Sequence, residues 1–249
     1  MARTVRDIAL LLEPIFIRGK REPSLLSLRP QKKGASPIRL GIPKDFFSDL
    51  IAEDVRTVFE EALQLFRKLG AKTKEISIPL LKETESAGNQ IAWAEATHHH
   101  QQAGWFPSRS ADYSEDVRSR LEMGANVPAT TYLTALEQRE KFIQQLHLTL
   151  ANHSLDAIVL PTTPITAPLI GSESIHLNGS DHTTRALLLR HNRPANLAGV
   201  PALTIPCGLT PGGLPVGLQL IAAITDEPLL LRLALTFEQS HPQSLPPPL

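Results

Sequence analysis

Apolar residues recur along this chain in two rhythms that alternate with one another. Near the start, Val5, Ile8, Leu11, Leu12, Ile15 and Phe16 share one helical face, and Thr4 with Asp7 makes a capping-box-like beginning. Residues 18–37 lose all periodicity and gather Lys, Arg, Pro and Ser, which predicts a basic loop. Ile38 to Ile42 alternates as a strand and stops at Pro43. Ser48 or Asp49 is placed to cap the next helix, where Val55, Val58, Phe59, Ala62, Leu63, Phe66 and Leu69 keep helical spacing. Gly70 then stands where a C-cap glycine belongs. Lys72 to Pro79 alternates again around Ile76 and Ile78, so strand, helix and strand form a βαβ-like unit.

Helical stretches follow near 81–103, 114–124 and 129–152. In the last, Leu136, Ile143 and Leu150 lie seven apart, with Glu137 and Lys141 as a pair on the exposed side. Ala157 to Leu160 is a short apolar strand ending at Pro161. Leu203 and Ile205 sit in another, and Val216 to Ala223 in a third. Thr210-Pro211-Gly212-Gly213 is the turn between these two. A final helix over 227–240 precedes a tail at 242–249 that is expected to be flexible. The predicted class is α/β.

Composition narrows the picture. The 249 residues carry 25 Lys+Arg against 25 Asp+Glu, are 42% hydrophobic and include one cysteine. An ordinary apolar fraction with no net charge excludes global disorder, and a lone Cys207 excludes a disulfide-stapled scaffold. Without a basic excess, a dedicated nucleic-acid protein is not expected. The charge is nevertheless unevenly laid out: residues 1–39 hold nine basic and three acidic groups, whereas the 32 residues between Arg193 and Asp226 hold none. Pro194, Pro201, Pro206, Pro211 and Pro215 interrupt that uncharged stretch, which excludes a membrane helix and predicts buried loops and strands. Arg3 and Arg6 precede an apolar run as in a signal peptide, but Asp7 and Glu13-Pro14 spoil it. A cytoplasmic protein is expected.

The usual chemical motifs are missing: there is no G-x-S-x-G elbow, Walker A loop, G-x-G-x-x-G after a strand, or H-E-x-x-H. His98-His99-His100 is the most metal-like feature, yet neighbours on a helix point about 100° apart and cannot converge on one ion. Cys207, between Pro206 and Gly208, reads as a small buried filler. Trp93 and Trp105 read as packing residues. The sequons Asn152-His153-Ser154 and Asn178-Gly179-Ser180 carry little weight without a secretion signal. Lys44, Lys72 and Lys74 occur near strand ends and Ser77 in a strand, but nothing places a lysine beside a serine. These residues assign no catalytic group, no metal and no cofactor.

The end of the chain carries a resemblance. Residues 192–208, NRPANLAGVPALTIPCG, followed by 213–221, GLPVGLQLI, closely resemble the C-terminal part of the amidase signature family. LDAIVLPTTP at 155–164 looks like that family's preceding strand and loop, and Phe237-Glu238-Gln239 like its closing helix. The likeness covers nearly the whole chain, weakening at 18–37 and around 100–130. It implies a partial amidase-signature fold over 1–249, with a mixed β-sheet flanked by helices. Gly199 would end a helix in the left-handed conformation, Pro201 would stop its continuation, and two strands would run through the interior.

The resemblance also implies what is absent. The family's nucleophilic serine lies in a Gly/Ser-rich segment, with a second serine relaying the proton and a neutral lysine as base. This sequence has no such segment, and Met1 to Asp7 looks like a stretch that follows the family's catalytic half. No triad residue carries over, so no catalytic residue is assigned. Thr162 and Thr163, with Arg193 before Pro194, are the residues the resemblance places at the substrate pocket, unless their loops merely end strands. In the tRNA-dependent amidotransferase, the A subunit usually has an acid shortly before the proline matched by Pro194. Residues 186–193 contain no carboxylate.

Two readings therefore stand side by side. One is the C-terminal portion of a hydrolase of carbon–nitrogen amide bonds, inactive alone and dependent on a separate chain bearing the missing half. The other is a non-catalytic remnant or interaction module. A fragment of the amidotransferase A subunit ranks behind both. A small amide substrate is expected only in the complete enzyme, with neither nucleic acid nor membrane as partner. Self-association through an exposed sheet edge, and poor solubility alone, are expected as well.

Overall fold

A fully buried strand organises the architecture. In β3, which the chain reaches late, Ala157 and Val159 face one layer of core and Ile158 and Leu160 the other. The computed structural model describes residues 1–2, 4–16, 24–31, 36–47 and 49–241; Arg3, Ser48, half of the basic loop (18–23 and 32–35) and the tail from 242 lie outside them. The elements run α1 (Val5–Leu12), β1 (Arg39–Pro43), α2 (Lys44–Phe47), α3 (Glu53–Lys68), β2 (Lys72–Ile76), α4 (Thr84–Gln102), α5 (Glu115–Ala125) and α6 (Ala129–Asn152). They continue with β3 (Ala157–Pro161), β4 (Ser174–Leu177), β5 (Ser180–Thr183), α7 (Thr184–Arg190), α8 (Arg193–Ala198), β6 (Ala202–Leu209), β7 (Pro215–Ile221) and α9 (Glu227–Ser240).

The main sheet has the order β2-β1-β3-β7-β6. β1 pairs in parallel with both β2 and β3, while β7 runs antiparallel to β3 and β6, so the sheet is mixed. Residues of α1, α3 and α9 pack on one face, and residues of α2, α4, α6 and α8 on the other. This is the α/β class that the pattern predicts and the mixed sheet flanked by helices that the resemblance implies. No helix among the described residues is long and apolar enough to cross a membrane.

Several expectations change in detail. In α1, Val5 and Ala9 are buried and Ile8, Leu12 and Phe16 pack against the core, but Leu11 and Ile15 stay exposed. A helix of eight residues has one contact face, too narrow for all six apolar positions. The Thr4 hydroxyl accepts from the Asp7 N–H at 3.1 Å, and Glu238 of α9 accepts the Val5 N–H at 2.9 Å. Replacing Thr4 by Ala is expected to cost about 1 kcal/mol of stability, read as a shift in the urea midpoint. Asp49 does not cap α3, whose N-cap is Ala52 with no side-chain hydrogen bond, and Ser48 lies outside the described residues. The helix expected over 81–103 begins at Thr84, after a 3-10 turn at Pro79–Glu83.

In α6, the buried residues Ala135, Phe142, Leu146, Thr149 and Leu150 run mostly one position off the Leu136 and Ile143 stripe. Glu137 and Lys141 are exposed there, without an ion pair among the described residues. Part of the presumed basic loop is tied to the core. Leu25 and Leu28 are buried, Glu13 accepts from the Leu25 N–H at 2.8 Å, and Thr236 accepts from the Gln31 N–H at 2.8 Å. Of the two strands expected in the interior, only β7 lies inside. β6 is an edge strand with alternate residues exposed, and it leaves the unpaired edge that the resemblance implies. The hairpin β4–β5 has no counterpart among the predicted elements. Asn178 and Gly179 turn it with φ of 52° and 81°, the left-handed pair that an Asn-Gly hairpin turn uses.

Candidate functional site

A polar concavity lies where α4 meets α5, α6, α7 and α8, a groove of about 570 Å³. Its walls depend on a close helix contact. A Cβ on Gly124 of α5 would stand 2.1 Å from the Trp93 carbonyl oxygen of α4, so only glycine permits this approach. The Thr97 hydroxyl, buried in the same contact, donates to the Leu121 carbonyl at 2.9 Å. Opposite, the Thr183 hydroxyl caps α7 through the Ala186 N–H, and Gly199, at φ +66°, ends α8. The turn between α7 and α8 thereby delivers Arg193 beneath α4.

Arginines dominate the lining: Arg120 of α5, Arg139 of α6, Arg185 of α7 and Arg193 of α8, with Glu95 the one carboxylate among the described lining residues. Arg120 is already matched by Asp116, two contacts at 2.6 Å. Arg139 uses its Nε to donate to the Leu197 carbonyl at 2.9 Å. Arg193 donates through Nη1 to the Glu85 carbonyl at 2.8 Å and to Asn89 Oδ1 at 2.6 Å. The Tyr132 hydroxyl donates to Glu95 at 3.0 Å, so the one acid is partly satisfied. Arg185 has no hydrogen bond or ion pair among the described residues.

Burial lowers the Arg193 pKa, against the pull of Glu85, and the neighbouring Arg185 charge lowers it further. A guanidinium keeps its proton regardless, so the shift reflects chiefly its removal from water and not a change of state. With four arginines against one lining carboxylate, the groove can hold a planar anion through guanidinium N–H groups. Its described residues include no nucleophile–base pair.

Behind the groove, His191 is wholly buried between the end of β3 and Phe47, the rings 4.8 Å apart and edge-to-face. Its Nδ1 lies 2.9 Å from the Pro161 carbonyl, which can only accept, so the proton sits on Nδ1. Gln219 of β7 donates to the His191 carbonyl at 3.0 Å. The imidazole Nε2 has no partner among the described residues. Burial lowers its pKa to about 3, which the Pro161 hydrogen bond only partly opposes. This residue fastens the α7–α8 turn to the sheet.

Of the three residues that the resemblance placed at a pocket, Arg193 lines the groove, and Thr162 and Thr163 are not among its lining residues. Thr162 is held at the sheet, its N–H donating to the Gly217 carbonyl at 2.8 Å and its hydroxyl to Thr204 at 3.2 Å. The Thr163 hydroxyl donates to the Ile165 carbonyl at 2.8 Å. A second, less polar cavity of about 390 Å³ opens at the carboxyl ends of β1 and β3, with Phe47, Ile51 and Phe59 among its walls. Arg120, Arg139 and Arg185 had no sequence signal, because they stand on three separate helices. His191 was equally silent, being one of nine histidines.

The remaining candidates settle into structural roles. His98 and His99 are exposed, and His100 lies 2.8 Å from the Tyr113 hydroxyl. Among the described residues no three His, Cys, Asp or Glu side chains are grouped to hold a metal. Cys207 is buried, which pushes its thiol up to about 12, the state of an inert filler. Lys74 donates to His153 at 2.9 Å and Ser77 donates to Asp45, so neither joins a lysine–serine relay.

Known proteins resemble this chain in sequence and in fold. A family model described as Amidase matches residues 1–231. The chain is 30% identical to the A subunit of the Glutamyl-tRNA(Gln) amidotransferase of Thermotoga maritima, over 97% of this chain and 54% of that protein. A protein of the same name from Clostridium botulinum (strain Okra / Type B1) is 31% identical over 96% of this chain and 54% of its own length. A crystal structure of an amidase superposes with a TM-score of 0.81 at 27% identity, covering 96% of this chain and 51% of that one. The chain thus spans about half the length of the curated relatives it matches.

Proposed function

The chain belongs to the amidase family, and on that premise we propose that it is the C-terminal, substrate-binding portion of a hydrolase that splits carbon–nitrogen amide bonds. The observation that carries this reading is the family match over residues 1–231 in a chain spanning only 54% of its curated relatives. In this reading the nucleophilic serine, its relay serine and the lysine base come from a second polypeptide segment. That segment docks along the open side of the sheet at β6, whose unpaired edge suits such an arrangement. This half contributes the core strands and the arginine-lined wall. That the relatives are named as subunits likewise favours a partner chain.

In a second reading, favoured by the names of relatives at 30% and 31% identity, the chain belongs to an amidotransferase and serves to draw ammonia from glutamine. The absence of any carboxylate from 186–193 weighs against it. One experiment tests both. Purified chain is assayed for ammonia release from glutamine and from a panel of simple amides, alone and after co-expression with the front half of the Thermotoga maritima relative. Background release alone and amide-dependent release in the pair are expected. Glutamine as the preferred substrate would select the second reading. Turnover by the chain alone, abolished by replacing one of its own serines, would overturn the dependence on a second segment.

A further inference from the structure

We propose that the groove between α4, α5, α6, α7 and α8 selects an amide whose far end carries a carboxylate and no ammonium. The inference rests on the reading of this chain as the substrate-binding part of an amidase, and it names the substrate class.

The donors left over in the groove decide the sign of the ligand. Arg120 is neutralised by Asp116, so it adds little net attraction. Among the described residues, the terminal nitrogens of Arg139, the Nε and Nη2 of Arg193 and the whole guanidinium of Arg185 have no hydrogen-bond partner. All three side chains line the same concavity. Arg185 and Arg193 repel one another, and no carboxylate of α7 or α8 separates them. Glu85 and Glu95 are the acids within reach. Glu95 is engaged by Tyr132, and Glu85 attracts both Arg190 and Arg193 from the first turn of α4.

An anion placed among these guanidiniums would relieve their repulsion and fill a free fork, giving two parallel charge-assisted hydrogen bonds. A planar carboxylate fits one fork, and Arg185 offers one. An ammonium in the same place would meet the charges of Arg139, Arg185 and Arg193 against a single lining carboxylate, Glu95, so the net positive charge of the wall disfavours it. Glutamine carries such an ammonium beside its carboxylate. Glutaramate, the same molecule without the ammonium, does not. The groove distinguishes the two by charge alone.

The test is binding to the full chain at low ionic strength, read by calorimetry, with glutaramate, glutamine, the neutral diamide glutaramide and inorganic phosphate as probes. Glutaramate is expected to bind about tenfold or more tightly than glutamine or glutaramide. Arg185→Gln and Arg139→Gln should each weaken glutaramate about tenfold, with an unchanged melting temperature for Arg185→Gln because its side chain holds no other described residue. Glutamine or glutaramide binding as well as glutaramate would overturn the inference. So would phosphate binding more tightly than glutaramate, or both variants keeping full affinity. Because binding is read without turnover, a failure here alongside amide hydrolysis by the reassembled enzyme sinks this inference and leaves the family reading intact.

Discussion

Gly124→Ala is expected to destabilise the protein by at least about 2 kcal/mol, although it places the better helix former inside a helix. Helix propensity alone would favour alanine by about 1 kcal/mol. The added Cβ, however, would lie 2.1 Å from the Trp93 carbonyl oxygen and 2.2 Å from the Thr97 hydroxyl. A backbone carbonyl cannot rotate out of the way as a side chain can. Relief requires α4 and α5 to move apart by more than an ångström, and overpacking of this kind costs about 3 kcal/mol or more. The Thr97 hydrogen bond to Leu121 would go with the contact. Steric cost outweighs propensity, so the net sign is destabilising. Urea denaturation checks it, and a variant as stable as the parent would show that the helices are not this close. Because Trp93 and Arg120 stand on the separating helices, the same change should also weaken ligand binding in the groove.

Acid should destabilise the fold through His191, and His191→Asn should remove that dependence. The imidazole is neutral in the folded chain, its pKa lowered to about 3 by burial, whereas in the unfolded chain it returns to 6.5. Between those values unfolding takes up a proton, so stability falls as pH falls. The slope approaches about 1.4 kcal/mol per pH unit, which gives a loss of about 2 kcal/mol at pH 5 relative to neutral pH. Asparagine can still donate to the Pro161 carbonyl but does not titrate. It should be less stable at pH 7.5, having lost the ring against Phe47, and the gap to the parent should narrow by about 2 kcal/mol at pH 5. Parallel stability curves for the two proteins across this range would show that His191 is protonated, or accessible, in the folded state.

Both residues show where a sequence stops being informative. Gly124 lies in a helical stretch that periodicity places within a residue or two, over 114–124 against the observed Glu115–Ala125. What makes it glycine is a carbonyl on another helix, thirty-one positions away. His191 stands just before a segment that carries the family likeness, yet its importance comes from Pro161 and Gln219, which strand pairing brings beside it. The β4–β5 hairpin is a different kind of omission. Asn178-Gly179 is a strong local turn signal, but it coincides with a sequon, and its flanking strands are short and polar.

Local pattern by itself determined the helices α3, α6 and α9, the strands β1, β3 and β7, and the Gly70 and Gly199 helix ends. These depend on spacing between near neighbours, and the backbone periods of 3.6 and 2 translate spacing directly into a buried face. The amidase likeness came from the sequence too, but through the resemblance of the block at 192–221 and not through any period. Tertiary structure alone decided that β6 is an edge and β7 is not, and that Leu25 and Leu28 belong to the core. It alone gathered Arg120, Arg139, Arg185 and Arg193 around one groove. Charge convergence is a property of distance in space, and four arginines on four helices have no common period along the chain.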